Sequence, residues 1–400
     1  MQPSTSDSRT VLHAQVDNLP VAVERLRNPT LAGKPLLVRS AGGRDVVVAV
    51  SREAAACGTH AGMPTRLALQ LCSQAFLVRA DGELYLRRAE VVREILAEAL
   101  PVVERATTAE FYADFTGMER YVGAWRLAGE VKTRVRRHAG LPLSFGLSVN
   151  KTVAKVACLE HQPDGAARIP WPQVQPFLDP LPVERLPAVG VATGQTLRAM
   201  GVGRVQTLRQ VPRRLLEKTF GAMGAILWQR AHGLDDTPVV ADDARRTLAA
   251  DLTFHPDTTD GRDVRTGLVR LTEDLTRQLR GRDCCTGCLT VKLRYADGDT
   301  LVRQCTLTPT ADDRVLIGYA LGLLSKLHQR RVLVRAVGVS FSKLAPGGNQ
   351  FHCFDDSARL APLYAAMDRL SARYGPGVVG LAAGWTPPAP TLQSHTGHPA

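Results

Sequence analysis

A short acidic segment sets the strongest limit on how this chain can fold. Residues 104–117 alternate bulky and small side chains, as a buried strand does, and Gly117 closes the segment. Glu110 lies in its middle. Because burying a carboxylate costs free energy unless it is paired or binds a metal, Glu110 predicts an ion pair or a metal site in the core.

Strand and helix patterns alternate on both sides of this segment, which favours a mixed sheet covered by helices. Residues 171–233 are predicted to be wholly helical. Two short helices there flank Gly201-Val202-Gly203, an arrangement that can present backbone N–H groups to a phosphate. Residues 245–343 return to a mixed pattern, and 400 residues are enough for several domains. The predicted class is a multidomain α+β protein.

The chain is strongly basic, with a formal net charge of +12. Residues 245–343 hold 17 basic and 11 acidic side chains, so about half of the excess lies in a quarter of the chain. A polyanionic partner and a solvated basic surface both fit this charge. Residues 1–10 lack a signal-peptide core, and no apolar run reaches the roughly 18 residues of a membrane helix. We therefore expect a cytoplasmic protein without a membrane partner.

The eight cysteines are scattered and do not form the pattern of a disulfide framework. Cys285 and Cys288 form one CxxC pair in a predicted loop. A structural zinc site needs four ligands, usually from two such pairs, and no second pair is present. These cysteines are expected to bind no metal.

Several sequence blocks together resemble the Y-family DNA polymerases, translesion enzymes similar to bacterial polymerase IV and UmuC. The blocks include Asn28-Pro29-x-Leu31-x-Gly33-Lys34-Pro35, Ser148-x-Asn150-Lys151-x-x-Ala154-Lys155-x-Ala157, Leu186-Pro187-x-Val189-Gly190, Leu227-Trp228-x-Arg230-x-x-Gly233-Leu234-Asp235-Asp236 and Arg246-Thr247-Leu248-x-x-Asp251-Leu252. The resemblance runs from about His13 to Gly375.

The resemblance implies a right-hand polymerase architecture. It places the palm at residues 10–20 and 75–165, the fingers at 21–74, the helical thumb with its helix-hairpin-helix at 166–236, and an α+β little finger at 244–345. Residues 1–9 are expected to be disordered, and residues 346–400 to form a tail.

The resemblance also implies a two-Mg²⁺ site that this chain does not reproduce. The family's metal-binding Asp of the first strand falls on Gln15, and its Asp-Glu pair falls on Ala109 and Glu110. Glu110 is therefore the residual catalytic and metal-binding candidate. Asp17, on the same strand face as Gln15, is a second candidate, whereas Asp114 is expected to be structural.

The implied nucleotide pocket differs as well. The family's steric-gate aromatic falls on Pro20, its triphosphate-binding Tyr and Arg fall on Arg52 and Ala55, and a phosphate-binding Lys falls on Gln162. The candidate phosphate- or DNA-binding residues are Arg52, Lys151, Lys155, Gly190, Arg246 and Arg294.

A peptide in the tail resembles the motif by which bacterial polymerases dock on the sliding clamp. Gln350, Phe351 and Phe354 are its candidate contacts, in an extended peptide with apolar anchors for a hydrophobic groove. The alternative is an ordinary hydrophobic segment.

Three functions are compatible with these residues. The first is an accessory protein, similar in character to ImuB-like proteins, that binds damaged or primer–template DNA and the clamp without efficient nucleotidyl transfer and needs no cofactor. Another DNA polymerase and recombinase-type damage-response proteins would be its further partners. The second is an active, error-prone translesion polymerase that uses Mg²⁺ at Asp17 and Glu110. The third is a DNA-binding adaptor outside replication.

Overall fold

The computed structural model describes residues 9–41, 45–118, 123–241, 247–346, 357–375 and 378–384. The chain divides into two compact units, residues 1–244 and 245–400. The predictions for residues 1–8, Arg246, Gln350, Phe351 and Phe354 lie outside the described residues. Within the described ranges, no helix has the length and apolar character needed to cross a membrane.

The first unit is a mixed α/β body. Its strands are β1 (Val11–Val16), β2 (Leu36–Arg39), β3 (Val47–Val50), β4 (Phe76–Arg79), β5 (Val103–Arg105), β6 (Glu110–Asp114), β7 (Leu143–Ser148) and β8 (Ala166–Ile169). Its helices are α1 (Leu19–Arg27), α2 (Arg52–Ala55), α3 (Thr65–Leu71), α4 (Gly82–Ala99), α5 (Ala124–Ala139), α6 (Lys151–Glu160), α7 (Trp171–Leu178), α8 (Val191–Ala199), α9 (Val205–Gln210), α10 (Arg213–Phe220) and α11 (Ala222–Ala231).

A five-stranded sheet of order β5-β6-β1-β7-β8 forms the centre of this unit. Strand β1 is antiparallel to both of its neighbours. Alternate side chains such as Leu12, Phe111 and Phe145 are buried on one face, in a core that also contains apolar residues of α4 and α5. The other face carries the polar residues of the candidate site.

The acidic segment is a hairpin and not one long strand. Strands β5 and β6 pair with Arg105 opposite Phe111, and residues 106–109 make the turn. This turn has no Gly or Pro, so the sequence pattern gave no signal for it. The hairpin places Glu110 at the start of β6, beside the turn.

A second sheet, of order β3-β2-β4, contains β4, although the family resemblance assigns this strand to the palm segment 75–165. Strand β4 runs parallel to β2, with Leu36 opposite Phe76. The boundary predicted at residue 75 therefore falls just before a strand that pairs within the 21–74 segment.

Helices α7 to α11 account for the helical pattern of residues 171–233 and share a core with α6. A short 3₁₀ turn at Val183–Arg185 precedes α8. Gly201, with φ of +79°, lies between the end of α8 and the start of α9. The helix–turn–helix predicted around Gly201-Val202-Gly203 is present.

The second unit is an α+β body, as its sequence pattern predicts. It contains β9 (Thr247–Thr258), α12 (Gly261–Gly281), β10 (Cys284–Tyr295), β11 (Thr300–Thr310), α13 (Asp313–Leu327), β12 (Val334–Pro346) and α14 (Ser357–Tyr374). Its sheet has the order β11-β10-β12-β9, and α12 and α13 cover one face. Residues 284–288, predicted to be a loop, belong to β10, and Cys285 and Cys288 are free and buried.

Candidate active site

The candidate site lies on the polar face of the five-stranded sheet. Glu110 on β6 is opposite Gln15 on β1, and Tyr112 is opposite His13. Residues two apart on a strand share a face, so these four side chains form one patch. Helix α6 covers this patch, because a single glycine of β7, Gly146, lets the helix backbone approach the sheet. A Cβ atom at Gly146 would lie 2.1 Å from the carbonyl oxygen of Ala154.

The Glu110 carboxylate is already paired within the protein. Its Oε2 atom accepts a hydrogen bond from Lys155 Nζ at 2.7 Å and lies 3.7 Å from His13 Nε2. The His13 ring and the Lys155 ammonium lower the pKa of Glu110 to about 2, against the opposing effect of burial. Glu110 is therefore ionised at neutral pH and balanced by Lys155.

His13 is a buried histidine with an aromatic neighbour. Its ring is fully buried and meets the Tyr112 ring edge to face, with 4.8 Å between the centroids. Burial lowers the pKa of His13, although Glu110 opposes the shift. Neither ring nitrogen has a hydrogen-bond partner among the described residues. At neutral pH, His13 is therefore uncharged and lines one side of the site.

Neither residue at the two lost carboxylate positions supplies a charge. Ala109 ends the turn before β6, and its carbonyl oxygen accepts the N–H of Val16 at 2.9 Å. The side-chain Oε1 atom of Gln15 is buried and has no hydrogen-bond partner within the described ranges. A methyl group and a neutral amide thus replace two carboxylates.

Asp17 and Asp114 are held by local structure. Asp17 is buried, and its Oδ2 atom accepts hydrogen bonds from Ser144 Oγ at 2.8 Å and Asp164 N at 2.7 Å. Burial raises the pKa of Asp17, although these two hydrogen bonds oppose the shift. Asp114 Oδ1 accepts the backbone N–H of Thr116 at 2.9 Å. Asp17 therefore anchors the loop at residue 164, and Asp114 orders the turn after β6.

These residues do not suit a pair of Mg²⁺ ions. Magnesium prefers several hard oxygen ligands, and here a single carboxylate is bound to an ammonium group. In the described part of the chain, no three His, Cys, Asp or Glu side chains converge to hold a metal.

Comparison with known proteins identifies the family. Residues 15–159 match the impB/mucB/samB family, and residues 245–352 match the C-terminal domain of the same family. The chain is 31% identical to a DNA polymerase IV of Desulfatibacillum aliphaticivorans over 380 residues, which cover 93% of this chain and 96% of the relative. This chain belongs to the Y family of DNA polymerases.

Further relatives extend the similarity beyond one lineage. A DNA polymerase IV of Dehalococcoides mccartyi strain CBDB1 is 32% identical over 92% of this chain and 95% of its own length. A DNA polymerase IV of Methanoculleus marisnigri is 32% identical over 86% of this chain and 96% of its own length. The Y-family similarity therefore spans both units of this chain.

The two lysines of α6 were predicted to contact phosphate, and both are paired with carboxylates. Lys151 Nζ lies 2.8 and 2.6 Å from the two carboxylate oxygens of Glu104 and 5.1 Å from the centroid of the Tyr112 ring. Glu104 also accepts the backbone N–H of Val240 at 2.6 Å. Two ion pairs, one helical turn apart on α6, thus connect this helix to the sheet. Lys151 pairs with Glu104 on β5, and Lys155 pairs with Glu110 on β6.

The other described candidates for phosphate contact belong to other elements. Arg52 begins α2 and is exposed, and Gly190 immediately precedes the first residue of α8. Arg294 is exposed on β10 between the buried residues Leu293 and Tyr295. Pro20 lies in the first turn of α1 and is half-buried. The described side-chain contacts of Glu110 are with Lys155 and His13, and not with Arg52, Gly190 or Pro20.

Sequence reasoning missed His13 and the function of Asp235. The sequence motifs do not mark His13, although its position two residues before Gln15 places both side chains on one strand face. Asp235 was recognised only as part of a motif. In the structure its Oδ2 atom accepts hydrogen bonds from Thr152 N and Oγ1, at the start of α6.

Proposed function

We propose that this protein is a DNA-binding member of the Y family that acts in translesion synthesis or DNA repair without efficient nucleotidyl transfer of its own. The residues at the predicted metal-binding positions carry the proposal. Glu110 is the one carboxylate left there, and the uncharged residues Gln15 and Ala109 lie next to it. Chemistry that requires two divalent ions would have no adequate ligand set here.

We further propose the family's architecture for this chain. The five-stranded sheet with α4, α5 and α6 corresponds to the palm, the three-stranded sheet with α2 and α3 to the fingers, and α7 to α11 to the thumb. The second unit corresponds to the little finger. The similarity to DNA polymerase IV over most of the chain and the excess of basic residues in 245–343 support DNA binding by this hand.

Primer extension by the purified protein tests the absence of catalysis. With Mg²⁺ or Mn²⁺ and a primer–template, we expect no extension above that of a Glu110→Gln variant, while a gel-shift assay shows binding of the same duplex. Robust extension by the parent that Glu110→Gln abolishes would refute the proposal.

One observation favours the alternative of an active enzyme with an atypical site. The Oδ1 atom of Asp17 is buried and has no hydrogen-bond partner among the described residues, so it retains a free lone pair. If Asp17 takes part in catalysis, Asp17→Asn should lower extension at least tenfold. Equal rates for parent and variant would remove Asp17 from any mechanism.

Clamp binding through residues 350–354 remains a separate proposal. We expect a pull-down with the sliding clamp to be lost on combining Gln350→Ala with Phe354→Ala, while DNA binding is unchanged. Clamp binding retained by this double variant would rule out the peptide, and no binding by the parent would favour a DNA-binding adaptor outside replication. Cytoplasmic location and association with another polymerase or with recombinase-type proteins likewise remain predictions.

A further inference from the structure

Helix α14 is fixed to the second unit by one of its faces. Asp368 accepts two hydrogen bonds from the Arg280 guanidinium of α12, at 2.7 and 2.9 Å. The same guanidinium lies 5.0 Å from the centroid of the Tyr364 ring, and the Tyr364 hydroxyl donates to Asp312 Oδ1 at 3.3 Å. The helix begins beyond residues 245–352, which match the family's C-terminal domain, so that domain does not account for it.

A second face of α14 carries large apolar side chains that remain exposed. Its members are spaced by four, three and four residues along the chain: Leu363, Met367, Leu370 and Tyr374. This is the d-a-d-a spacing of a coiled-coil seam, and we call these four residues the apolar seam. Leu363, Leu370 and Tyr374 are 51, 42 and 59% exposed, respectively, whereas Tyr364 on the docked side is buried. The helix therefore has two apolar faces, and within the described ranges only one of them is covered.

The regular spacing separates the apolar seam from ordinary surface exposure. Apolar side chains scattered singly over a surface are common and need no partner. A surface helix usually has one apolar stripe, which it buries against the core of its own domain. Here a second stripe recurs every three or four residues on a helix that is already held in place. Such a stripe suits a second helix, because its side chains can interdigitate with those of a helix that lies along it.

The charges on α14 favour an acidic partner. The helix contains three arginines and one aspartate, and the aspartate, Asp368, is paired with Arg280. Arg369 and Arg373 are exposed and have no carboxylate partner among the described residues. Arg373 directly precedes Tyr374, at the g position that pairs across a coiled coil. A second copy of this chain would bring the same unbalanced arginines to the contact, whereas carboxylates on a partner would neutralise them.

We propose that the apolar seam of α14 is the docking surface for an amphipathic α-helix of another protein, with acidic side chains beside the apolar stripe of that helix. From Leu363 to Tyr374 the seam is about 17 Å long at about 1.5 Å per residue, so it accommodates about three turns of the partner. The seam uses no residue of the candidate active site. The inference therefore does not depend on the absence of nucleotidyl transfer.

Two synthetic peptides serve as probes for this surface. Both have about 21 residues, as three heptads with Ile at a and Leu at d, and they differ only in having Glu or Lys at e and g. Like charges at e and g keep each peptide from pairing with itself. Fluorescence anisotropy of the labelled peptides with the full-length protein should show that the acidic peptide binds about tenfold more tightly than the basic one, or better.

Substitutions on α14 test whether the apolar seam is the contact. Leu363→Glu and Leu370→Glu should each weaken binding of the acidic peptide about tenfold or more, because a carboxylate would replace an apolar anchor. Ala372→Glu, exposed on α14 outside the seam, adds the same charge and is the matched control that should bind nearly as the parent does. Arg373→Gln should reduce the preference for the acidic peptide. Because both leucines are exposed, the melting temperatures of their variants should match that of Ala372→Glu.

Several results would overturn the inference. They are no binding of either peptide by the parent, equal binding of the two peptides, and an affinity of the leucine variants equal to that of Ala372→Glu. A lower melting temperature in both leucine variants than in Ala372→Glu would show that the seam is packed within the protein, and would also contradict it. Sedimentation equilibrium tests the other occupant. A dimer of the parent that Leu370→Glu dissociates would assign the seam to a second copy of this chain, whereas a monomeric parent that binds the acidic peptide supports the acidic partner helix.

Discussion

The Asp235 carboxylate caps helix α6 at Thr152. Its Oδ2 atom accepts the backbone N–H of Thr152 at 3.1 Å and the Thr152 hydroxyl at 2.9 Å, and the Arg230 guanidinium contacts both residues. Although burial opposes the shift, hydrogen bonds from Thr237 and Thr152 and the charge of Arg230 lower the pKa of Asp235. The negative charge stabilises the positive end of the helix that carries Lys151 and Lys155.

Removing this cap should destabilise the first unit. We expect Asp235→Ala to lower the free energy of unfolding by about 3 kcal/mol, because it removes a helix cap and leaves the largely buried Arg230 unpaired. Urea denaturation followed by far-UV circular dichroism measures the change. Asp236→Ala, at the next and exposed position, is the matched control and should have little effect. Equal losses in the two variants would exclude a capping role.

The contact between α6 and the sheet predicts a steric effect at Gly146. In Gly146→Ala the new Cβ atom would lie 2.1 Å from Ala154 O and 2.6 Å from Cys158 N, both backbone atoms that cannot move independently. We expect a loss of about 3 kcal/mol in the free energy of unfolding. Gly129→Ala on α5, where no atom lies within 4 Å of the added Cβ, should be neutral or stabilising.

The turn before α8 contains a strained residue. Ala188 has φ of +81°, a left-handed conformation that a side chain with a Cβ atom adopts at a cost. Ala188→Gly should therefore raise the free energy of unfolding by about 1 kcal/mol, which a shift in the urea midpoint would show. Ala192→Gly, exposed within α8, is the opposite control and should cost about 1 kcal/mol. A loss of stability in Ala188→Gly would contradict this interpretation.

Asp313 should make the second unit less stable as pH rises. Burial raises the pKa of Asp313 from its ordinary 3.8 to about 6, although Arg280 opposes the shift. The folded state then binds a proton more tightly than the unfolded state, so stability falls as pH rises between about 4 and 6. Between pH 4 and pH 7, Asp313→Asn should gain about 2 kcal/mol relative to the parent. Asp274→Asn, a more exposed carboxyl on α12, should show no such gain in parallel urea titrations.

Local sequence patterns predict the positions of helices and strands better than they predict which strands pair. The helical pattern of residues 171–233 predicts a run of helices, and the structure has α7 to α11 there. The parallel pairing of β2 with β4 joins segments about 40 residues apart, and periodicity carries no information about such partners. The residues of the turn at 106–109 resemble those of the strands beside it, so one strand was expected where two are present.

In the candidate site, too, the sequence predicts a residue but not the residues that it contacts. The sequence indicates that Glu110 must be paired or bind a metal, because a buried carboxylate is otherwise too costly. It does not name Lys155 as the partner, since that contact depends on α6 packing against β7 at Gly146. His13 has no neighbouring ligand in sequence, and only the β1–β6 register brings it beside Glu110.

The open face of the second unit's sheet should make DNA binding depend on salt. Arg294 is exposed there, on the face that α12 and α13 do not cover. If it contacts a phosphate, Arg294→Ala should weaken binding of any duplex sequence and reduce the slope of log affinity against log salt by about 1. Arg314→Ala, exposed on α13, is the matched control and should keep the parental slope. Fluorescence anisotropy between low and physiological salt measures both slopes. A parental affinity that does not change with salt would exclude phosphate contacts as the basis of binding, because counterion release accompanies every such contact.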